Sequence, residues 1–540
     1  MPLVGWGKTC NMRAMMHLTR FWRYAMAALL GVGCMATTLW AQQDQPAPPD
    51  DPQQRYLETI TAQDLRAHIF FLADDLLEGR ETGERGQHLA GLYIRSQFMR
   101  IGLNPGNPET DGYFQPFYLN RASIDEGRMS LGKDTYRYGN DFLNATAGLL
   151  PTGKPKLTFV GYGISQPDYD NLSGVNLEGE VALMLAGGPE APDPTLRAVE
   201  QIRAWKGRAE ALAERGAAGV LLVMPDSLFK VLKRYTRRAA TSIDAEPQPP
   251  MPIVYVSEQL GQALLQAGKS DLESVREALN QQDKLPKVKL NKADLAVQTT
   301  QTFDSKSASN VLGFLPGTDK AEELLVITGH YDHVGVNRKG VVYNGADDDA
   351  SGTSTVLAVA EAFMRAAREG YRPRRSILFM TVSGEEKGLL GSEFYTDHPL
   401  YPLSNTVCNL NIDMVGRIDP TYQKREDSTR YVYLIGSDRL SSDLHTISEA
   451  ANAAFTQLTL DYTYNAEDDP NRFYYRSDHY NFAKNNIPVI FYFNGTHEDY
   501  HQPGDDPEKI RFEKAARIAR LVFATAWEVA NREERLVVDQ

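Results

Sequence analysis

Short apolar strands alternate with helical segments from Ala308 onward, and this alternation constrains the fold more than any other feature of the chain. Strands are predicted near residues 324–329, 377–383, 407–413, 431–436 and 488–494. A chain with this pattern folds as an α/β sheet with helices on both faces. Open sheets of this kind place their sites at the carboxyl ends of the strands. The residues that follow each strand are therefore the candidates for functional roles.

Four of the predicted strands end in side chains that bind metals or transfer protons: His330 with Asp332 and the aspartates 347–349, the adjacent Glu385 and Glu386, Asp413, and the competing His497 and His501. Each motif by itself has an ordinary explanation, such as a helix cap or an exposed turn. Together they offer histidine and carboxylate ligands without cysteine, and five such ligands suit two zinc ions that share a bridging carboxylate. Of two adjacent glutamates, one can ligate a metal while the other acts as a general base.

These motifs resemble those of metallopeptidase family 28, the di-zinc exopeptidases that include bacterial leucyl aminopeptidases and glutamate carboxypeptidases. The resemblance rests on six segments in the family's order: GHYDHVG, NGADDDASG, SGEEKGLLGS, NIDMVGR, RSDHYNF and HEDYHQPGD. It implies a central mixed sheet flanked by helices, the fold of the zinc-dependent exopeptidases, which is phosphorylase/hydrolase-like. Three further segments, GYGI, EGEVALM and GAAGVLLV, resemble the protease-associated domain that such enzymes often carry as an insert.

The resemblance also implies how two zinc ions would be held. His330 and Asp413 would bind one ion. Glu386 and His501 would bind the other, and His501 is preferred to the second candidate histidine because DYHQPGD matches the family's closing motif. Asp347 would bridge the two ions, and its peptide bond to the next residue would be cis.

Two further residues receive catalytic roles by the same resemblance. Glu385 would be the general base, which takes a proton from the bridging water and returns it to the leaving amine. Asp332 would hydrogen-bond the far nitrogen of His330 and fix the tautomer of its ring. His333 would neighbour the site without binding a metal.

The implied activity is that of a zinc aminopeptidase, which removes N-terminal residues from peptides with a free amino terminus through a metal-bridging hydroxide. Two other activities use the same scaffold. A glutaminyl cyclase-like acyltransferase would use one zinc ion, and a carboxypeptidase would need pocket arginines such as Arg417 or Arg472. A non-catalytic, receptor-like relative would have lost ligands, and none is lost in this sequence.

The ends and the charge of the chain bear on its location and partners. Arg13, Arg20 and Arg23 precede an apolar run and small residues, so residues 1–41 are predicted to be a signal peptide. We expect an exported protein, periplasmic or extracellular, without a stable membrane span after cleavage. A lipoprotein attached at Cys34 is the alternative. The net charge of −13 argues against a nucleic-acid partner, because such binders need a basic face.

A chain of 540 residues is too long for one ordinary domain. After the signal peptide, a proline-rich linker is predicted over residues 42–55 and a helical part of the peptidase domain over 56–106. A β-rich, protease-associated-like insert is predicted over 107–295, and the rest of the peptidase domain over 296–535.

Overall fold

A computed structural model of the chain describes residues 51–189, 198–235, 240–247, 249–281, 285–290 and 294–539. The predicted signal peptide, its alternative lipid site at Cys34 and most of the predicted linker lie outside the described residues. Within the described ranges, no helix combines the length and the apolar character that crossing a membrane requires. The residues from Tyr56 onward form one compact unit.

The described strands, in chain order, are β1 (Asn104–Pro105), β2 (Phe114–Leu131), β3 (Asp134–Arg137), β4 (Phe142–Asn144), β5 (Leu157–Phe159), β6 (Ser165–Gln166), β7 (Tyr169–Asp170), β8 (Val181–Leu185), β9 (Gly219–Val223), β10 (Ala240–Asp244), β11 (Ile253–Val256), β12 (Leu295–Leu315), β13 (Lys320–His330), β14 (Arg375–Val382), β15 (Thr406–Ile412), β16 (Tyr431–Ile435), β17 (Thr459–Asp461) and β18 (Val489–Phe493). The described α-helices are α1 (Pro52–Leu57), α2 (Ala62–Leu72), α3 (Arg85–Ile101), α4 (Ala198–Glu210), α5 (Asp226–Tyr235), α6 (Glu258–Ala267), α7 (Leu272–Gln281), α8 (Ala350–Arg368), α9 (Leu390–Asp397), α10 (Ser442–Ala451), α11 (His479–Ala483) and α12 (Phe512–Asn531).

The main sheet is mixed, with strand order β10-β2-β12-β14-β13-β15-β18-β16-β17. Its centre, β14-β13-β15-β18, is parallel, while β12 and β16 join it antiparallel on either side. In this register His330 pairs with Val382, so that β13 and β14 end side by side. The predicted fold class, a central mixed sheet flanked by helices, is confirmed.

Apolar residues on both faces of the central strands explain why helices cover both sides. On one side α2, α3, α8 and α12 bury the larger part of the core. Phe363 of α8 is fully buried, and its ring centroid lies 4.7 Å from that of Phe523 on α12. On the other side α9 and α11 pack Tyr395 and Phe482 against the sheet. Burial of apolar area on this scale is the main stabilising contribution to the domain.

Local signals set the ends of several helices. The side chain of Thr61 accepts a hydrogen bond from the backbone N–H of Asp64 at 3.2 Å, which caps α2. Gly102 adopts the left-handed conformation with φ 81° and ends α3. The helix α8 spans residues 350–368 between caps at Asp349 and Glu369.

A second sheet, β4-β11-β9-β8-β5, lies within the predicted insert. Its central strands are parallel and buried, and apolar clusters cover both of its faces. Four helices, α4 to α7, also lie in this stretch, so it is richer in helix than the sequence pattern indicated. The segment is joined to the main sheet by the long antiparallel pair β2 and β12. The boundaries at 107 and 295 stay a prediction.

One buried histidine makes the fold sensitive to acid. Nδ1 of His68 lies 2.8 Å from the hydroxyl oxygen of Tyr93. Burial, together with repulsion from Arg100, lowers the pKa of His68 from 6.5 to about 4. Between these values the unfolded chain binds the additional proton. Stability from this group is therefore fully present above pH 6.5 and is lost as the pH falls toward 4.

We expect His68→Gln to flatten the loss of unfolding free energy between pH 6.5 and pH 4 by up to roughly 3 kcal/mol, because the substituted side chain takes up no proton. Urea unfolding of the wild type and the variant across this range measures the difference. At pH 7.5 the two proteins should differ only by a constant packing term. Parallel profiles over the whole range would contradict the prediction.

Candidate metal centre

The parallel centre of the main sheet brings four strand ends to one edge. His330 is the last residue of β13, and Asp413 directly follows β15. Glu385 and Glu386 lie in a short 3₁₀ turn after β14, which Gly384 opens with φ 80°. His501 lies on the loop after β18. The alternation of strands and helices thus assembles residues that are up to 171 positions apart, from 330 to 501, at one place.

Asp348 stands at the centre of this cluster. One of its carboxylate oxygens, Oδ1, lies 3.2 Å from Nε2 of His330. The other, Oδ2, lies 3.1 Å from Nε2 of His501. A single carboxylate that faces two separate groups of ligands has the arrangement of a bridge between two metal ions.

The first group of ligands consists of His330, Asp348 and Asp413. Nε2 of His330 lies 3.6 Å from Oδ1 of Asp413 and 3.9 Å from Oε2 of Glu385. The hydroxyl of Ser477 donates a hydrogen bond to Oδ2 of Asp413 at 2.7 Å, which leaves Oδ1 directed to the histidine.

The second group lies on the other side of Asp348. Oε2 of Glu386 is 3.0 Å from Nε2 of His501. Nδ1 of His333 is 3.0 Å from Oε1 of Glu386 and 3.8 Å from Oδ2 of Asp348. His333, which the sequence suggested to be a neighbour only, is therefore as close to Glu386 as His501 is, although it lies farther from Asp348. His497, the rejected competitor, points elsewhere and lies 3.3 Å from Asp347.

The structure corrects the predicted bridge by one position. Asp347 accepts hydrogen bonds from the backbone N–H of Gly416 at 2.6 Å and from the side chains of Ser351 and Asn494 at 3.1 and 3.2 Å. Its carboxylate is directed into the protein, away from both groups of ligands. The cis peptide bond is likewise found one residue later than predicted, between Asp348 and Asp349.

The third aspartate of the run fastens the site to its scaffold. The carboxylate of Asp349 accepts hydrogen bonds from the N–H groups of Gly352 at 2.7 Å, His330 at 3.1 Å and Met414 at 3.1 Å. It therefore caps α8 and ties the ends of β13 and β15 to the start of that helix.

Asp505 holds the other two aspartates of the run in a similar way, because its Oδ2 accepts hydrogen bonds from the backbone N–H groups of Asp347 and Asp348 at 3.0 and 3.1 Å.

Asp332 lies where the sequence placed it, beside His330. Nδ1 of His330 is 3.1 Å from the backbone oxygen of Asp332 and 3.7 Å from its Oδ1. The hydroxyl of Thr82 donates to Oδ2 of Asp332 at 2.6 Å, and the backbone N–H of Glu385 donates to Oδ1 at 3.2 Å. Acceptors at Nδ1 hold the proton there and leave Nε2 free as a ligand.

Electrostatics make this cluster costly without a counter-charge. Burial raises the pKa of Glu385 well above its ordinary value, and the neighbouring carboxylates of Asp413 and Glu386 raise it further. Burial would lower the pKa of His330, but Glu385 and Asp413 raise it well above 6.5. Burial opposes ionisation of Asp348 and Glu386 too, but the neighbouring histidines lower the pKa of both. Like charges therefore disfavour ionisation of Glu385 in particular unless a cation lies beside it.

The donor set fits zinc. Nε2 of His330, Oδ2 of Asp348 and Oε1 of Glu386 are buried and have no hydrogen-bond partner among the described residues. Buried polar atoms without partners are rare in proteins, and a metal ion would account for them. Imidazole nitrogens and carboxylate oxygens, with no cysteine nearby, are donors that zinc binds.

The amino-acid sequence of this region matches the model of a known family over residues 310–526, described as peptidase family M28. Residues 310–526 belong to peptidase family M28. The matched segment contains all the residues of the two ligand groups. The family match and the cluster of candidate ligands therefore fall on the same part of the chain.

Relatives of this M28 domain are known at low identity. A probable zinc metalloprotease of Pyricularia oryzae is 28% identical over 263 residues, which cover 41% of this chain and 50% of that protein. Aminopeptidase YwaD of Bacillus subtilis is 27% identical over 267 residues, which cover 46% of this chain and 53% of that protein. The chain spans about half the length of the curated relatives it matches. The solved structure of an aminopeptidase from Aneurinibacillus sp. strain AM-1 aligns at 19% identity with a TM-score of 0.45, covering 90% of this chain and 98% of that one.

We expect Asp348→Asn to lose most of its bound zinc, because an amide carries no charge and offers a single oxygen ligand. The matched Asp347→Asn should retain zinc, because its remaining oxygen can still accept the N–H of Gly416. Elemental analysis after dialysis at defined, low free zinc compares the two variants. Loss of zinc from Asp347→Asn with retention in Asp348→Asn would restore Asp347 as the bridge.

Proposed function

We propose that this protein is an exported aminopeptidase that uses two zinc ions to remove N-terminal residues from peptides. The observation that carries the proposal is the position of Asp348, whose two oxygens face two separate groups of ligands. Export rests on the signal-peptide pattern of residues 1–41. The aminopeptidase activity rests on the M28 domain and on the cleft beside the ligands.

In this proposal His330 and Asp413 would hold one ion, Glu386 and His501 would hold the other, and Asp348 would contribute an oxygen to each. His333 competes with His501 for the second ion by its distance to Glu386. When bound, two zinc ions lower the pKa of a shared water and polarise the peptide carbonyl. The chain's own contribution is to fix the ligands through Asp332, Asp349, Ser477 and Asp505.

Glu385 is the general base of the proposed reaction. It shares the cleft with Asp348 and Asp413, and its Oε2 is directed to the same histidine nitrogen as theirs. It is placed to take a proton from the attacking water and to return it to the departing amine. Its backbone N–H bond to Asp332 fixes the turn on which it lies.

The wall of the cleft indicates a preference for peptides that begin with an apolar residue. Beside the three carboxylates it is lined by the side chains of Met414, Phe473, Phe491, Phe493 and Tyr500. Aromatic walls of this kind bind apolar side chains by burying their surface. The carboxylates at the closed end of the cleft suit a positively charged α-amino group.

A second candidate, a carboxypeptidase, is favoured by one observation. Arg476 lines the same cleft, with its Nη2 3.3 Å from the hydroxyl oxygen of Tyr500. The two arginines named from the sequence do not line it. Arg417 is buried and pairs with Asp499 at 2.8 Å, and Arg472 stacks on the ring of Tyr475 at 4.6 Å. A guanidinium group at the mouth could instead bind a substrate carboxylate.

We expect Glu385→Gln to retain its metals and to lose about 10²- to 10⁴-fold in kcat, because the base is removed and no ligand is. The matched Glu386→Gln should lose metal as well as activity. Activity on a leucyl amide and zinc content are measured on the same samples. Unchanged turnover in Glu385→Gln would remove this residue from the role of base.

We expect aminoacyl fluorogenic amides of leucine and phenylalanine to be cleaved and their N-acetyl forms to be inert, with two zinc ions per chain. Arg476→Gln should leave kcat/KM for the leucyl amide within a few-fold of the wild type. N-blocked peptides with a free carboxyl terminus are assayed in parallel, as substrates for the alternative carboxypeptidase activity. If these are the substrates and Arg476→Gln abolishes their cleavage, the carboxypeptidase is correct. Pyroglutamate formation with one zinc ion would instead indicate the cyclase.

A further inference from the structure

A cavity of about 500 Å³ opens at the amino-terminal end of α12, next to the start of α2. Its charged lining consists of three arginines, one lysine and one glutamate: Arg66, Arg511, Arg517, Lys514 and Glu513. The chain as a whole is acidic, with a net charge of −13. A concave cluster of positive charge is therefore unexpected on this acidic chain. The proposed peptidase reaction does not use these residues.

Among the described residues the arginines of this cavity form no close ion pair, although the charge of Glu513 on the lining acts to raise the pKa of Arg517. Within the ranges that the structure covers, Arg66, Arg511 and Arg517 form no ion pair and no side-chain hydrogen bond. Burial lowers the pKa of Arg517, and repulsion from Arg430 and Arg520 lowers it further. Guanidinium groups nevertheless remain charged in proteins. Their mutual repulsion would be relieved by an anion in the cavity.

The surrounding structure holds two of these cationic side chains in place. The guanidinium carbon of Arg66 lies 4.4 Å from the ring centroid of Phe70 and 5.1 Å from that of Phe512, so that its position is fixed by aromatic faces. Lys514 is already committed, because its Nζ donates to the backbone oxygen of Arg417 at 2.6 Å and lies 4.1 Å from the centroid of Tyr431. The lysine forms part of the wall, and the arginines supply the free donors.

The amino-terminal end of α12 adds to the positive electrostatic potential of the cavity. α12 has 20 residues and begins at Phe512. The residue before it, Arg511, makes no capping hydrogen bond with its side chain. The first turn of a long helix carries partial positive charge and N–H groups that bind anions.

From this arrangement we propose that the cavity is a binding site for a small, doubly charged oxyanion of the phosphate type, separate from the metal centre. Arg66 and Arg517 both line the cavity, and guanidinium forks bind the oxygens of such an anion in pairs. The volume exceeds that of a single phosphate ion, so the site also admits the phosphoryl group of a small phosphomonoester. Glu513 on the lining weakens the field and sets an upper limit on affinity.

The test is calorimetric titration of the zinc-loaded, full-length protein with inorganic phosphate, and separately with phenyl phosphate. We expect binding at one site per chain outside the metal centre, weakened at least about tenfold in the double variant Arg66→Gln/Arg517→Gln because two charged donors are lost. Glu513→Gln should bind a few-fold more tightly. Tighter binding of phenyl phosphate would indicate a phosphomonoester as the natural occupant, and equal or weaker binding would indicate the free ion.

Two controls separate this site from binding at zinc. Arg372→Gln removes an exposed arginine outside the cavity and should leave the affinity unchanged. Phosphate should raise the Tm of the wild type above that in chloride at equal ionic strength, and this rise should shrink in the double variant. If the double variant does not fold in chloride, Arg517→Lys replaces it and should show a smaller loss. Undiminished binding in the cavity variants, or no binding by the wild type, would overturn the proposal.

Discussion

Electrostatic repulsion between buried carboxylates is the constraint on which the arrangement of the site depends. Asp348, Glu385, Glu386 and Asp413 crowd around two or three imidazoles at distances near 3 to 4 Å. In each group the ligand atoms, two carboxylate oxygens among them, lie within 4.8 Å of one another. Two like charges about 4 Å apart cost about 4 kcal/mol even with the screening usual near a protein surface. The fold must hold these groups together before any cation binds. The carboxylates of Asp349 and Asp505 do this by accepting hydrogen bonds from backbone N–H groups.

The run of three aspartates divides this work among adjacent residues. Asp347 faces inward to Gly416 and Asn494, Asp348 faces both ligand groups, and Asp349 caps α8. Three identical side chains thus have three different surroundings, because successive residues of a tight turn point in different directions. A substitution in this run should be interpreted by its position rather than by the shared motif.

The sequence carried enough information to predict the scaffold but not the orientation of each side chain. Apolar strands and helical periodicity are local, so the ends of β13, β14 and β15 and the bounds of α8 could be predicted closely. Which aspartate of 347–349 faces the ligands depends on the turn, and nothing in three identical residues marks it. The role of His333 beside Glu386, and of Asp505 behind Asp348, depends on loops that meet only in the fold. Composition likewise concealed the helices α5 to α7 in the predicted insert, because short amphipathic helices between buried strands give a weak signal.

The long ribbon formed by β2 and β12 has a consequence for how this architecture tolerates change in chain length. The two strands pair from Phe114 with Val311 to Leu131 with Leu295, with one irregularity near Thr300. The chain therefore leaves and re-enters the ribbon at neighbouring points. The pairing of β2 with β12 offsets the entropy lost when the ends of the intervening segment are brought together. Lengthening a loop beyond such a closure costs only about 0.6 kcal/mol for each doubling. Apart from the edge strand β10, which pairs with β2, segments of very different size could replace residues 132–294 during evolution while the strands that carry the proposed metal ligands keep their register.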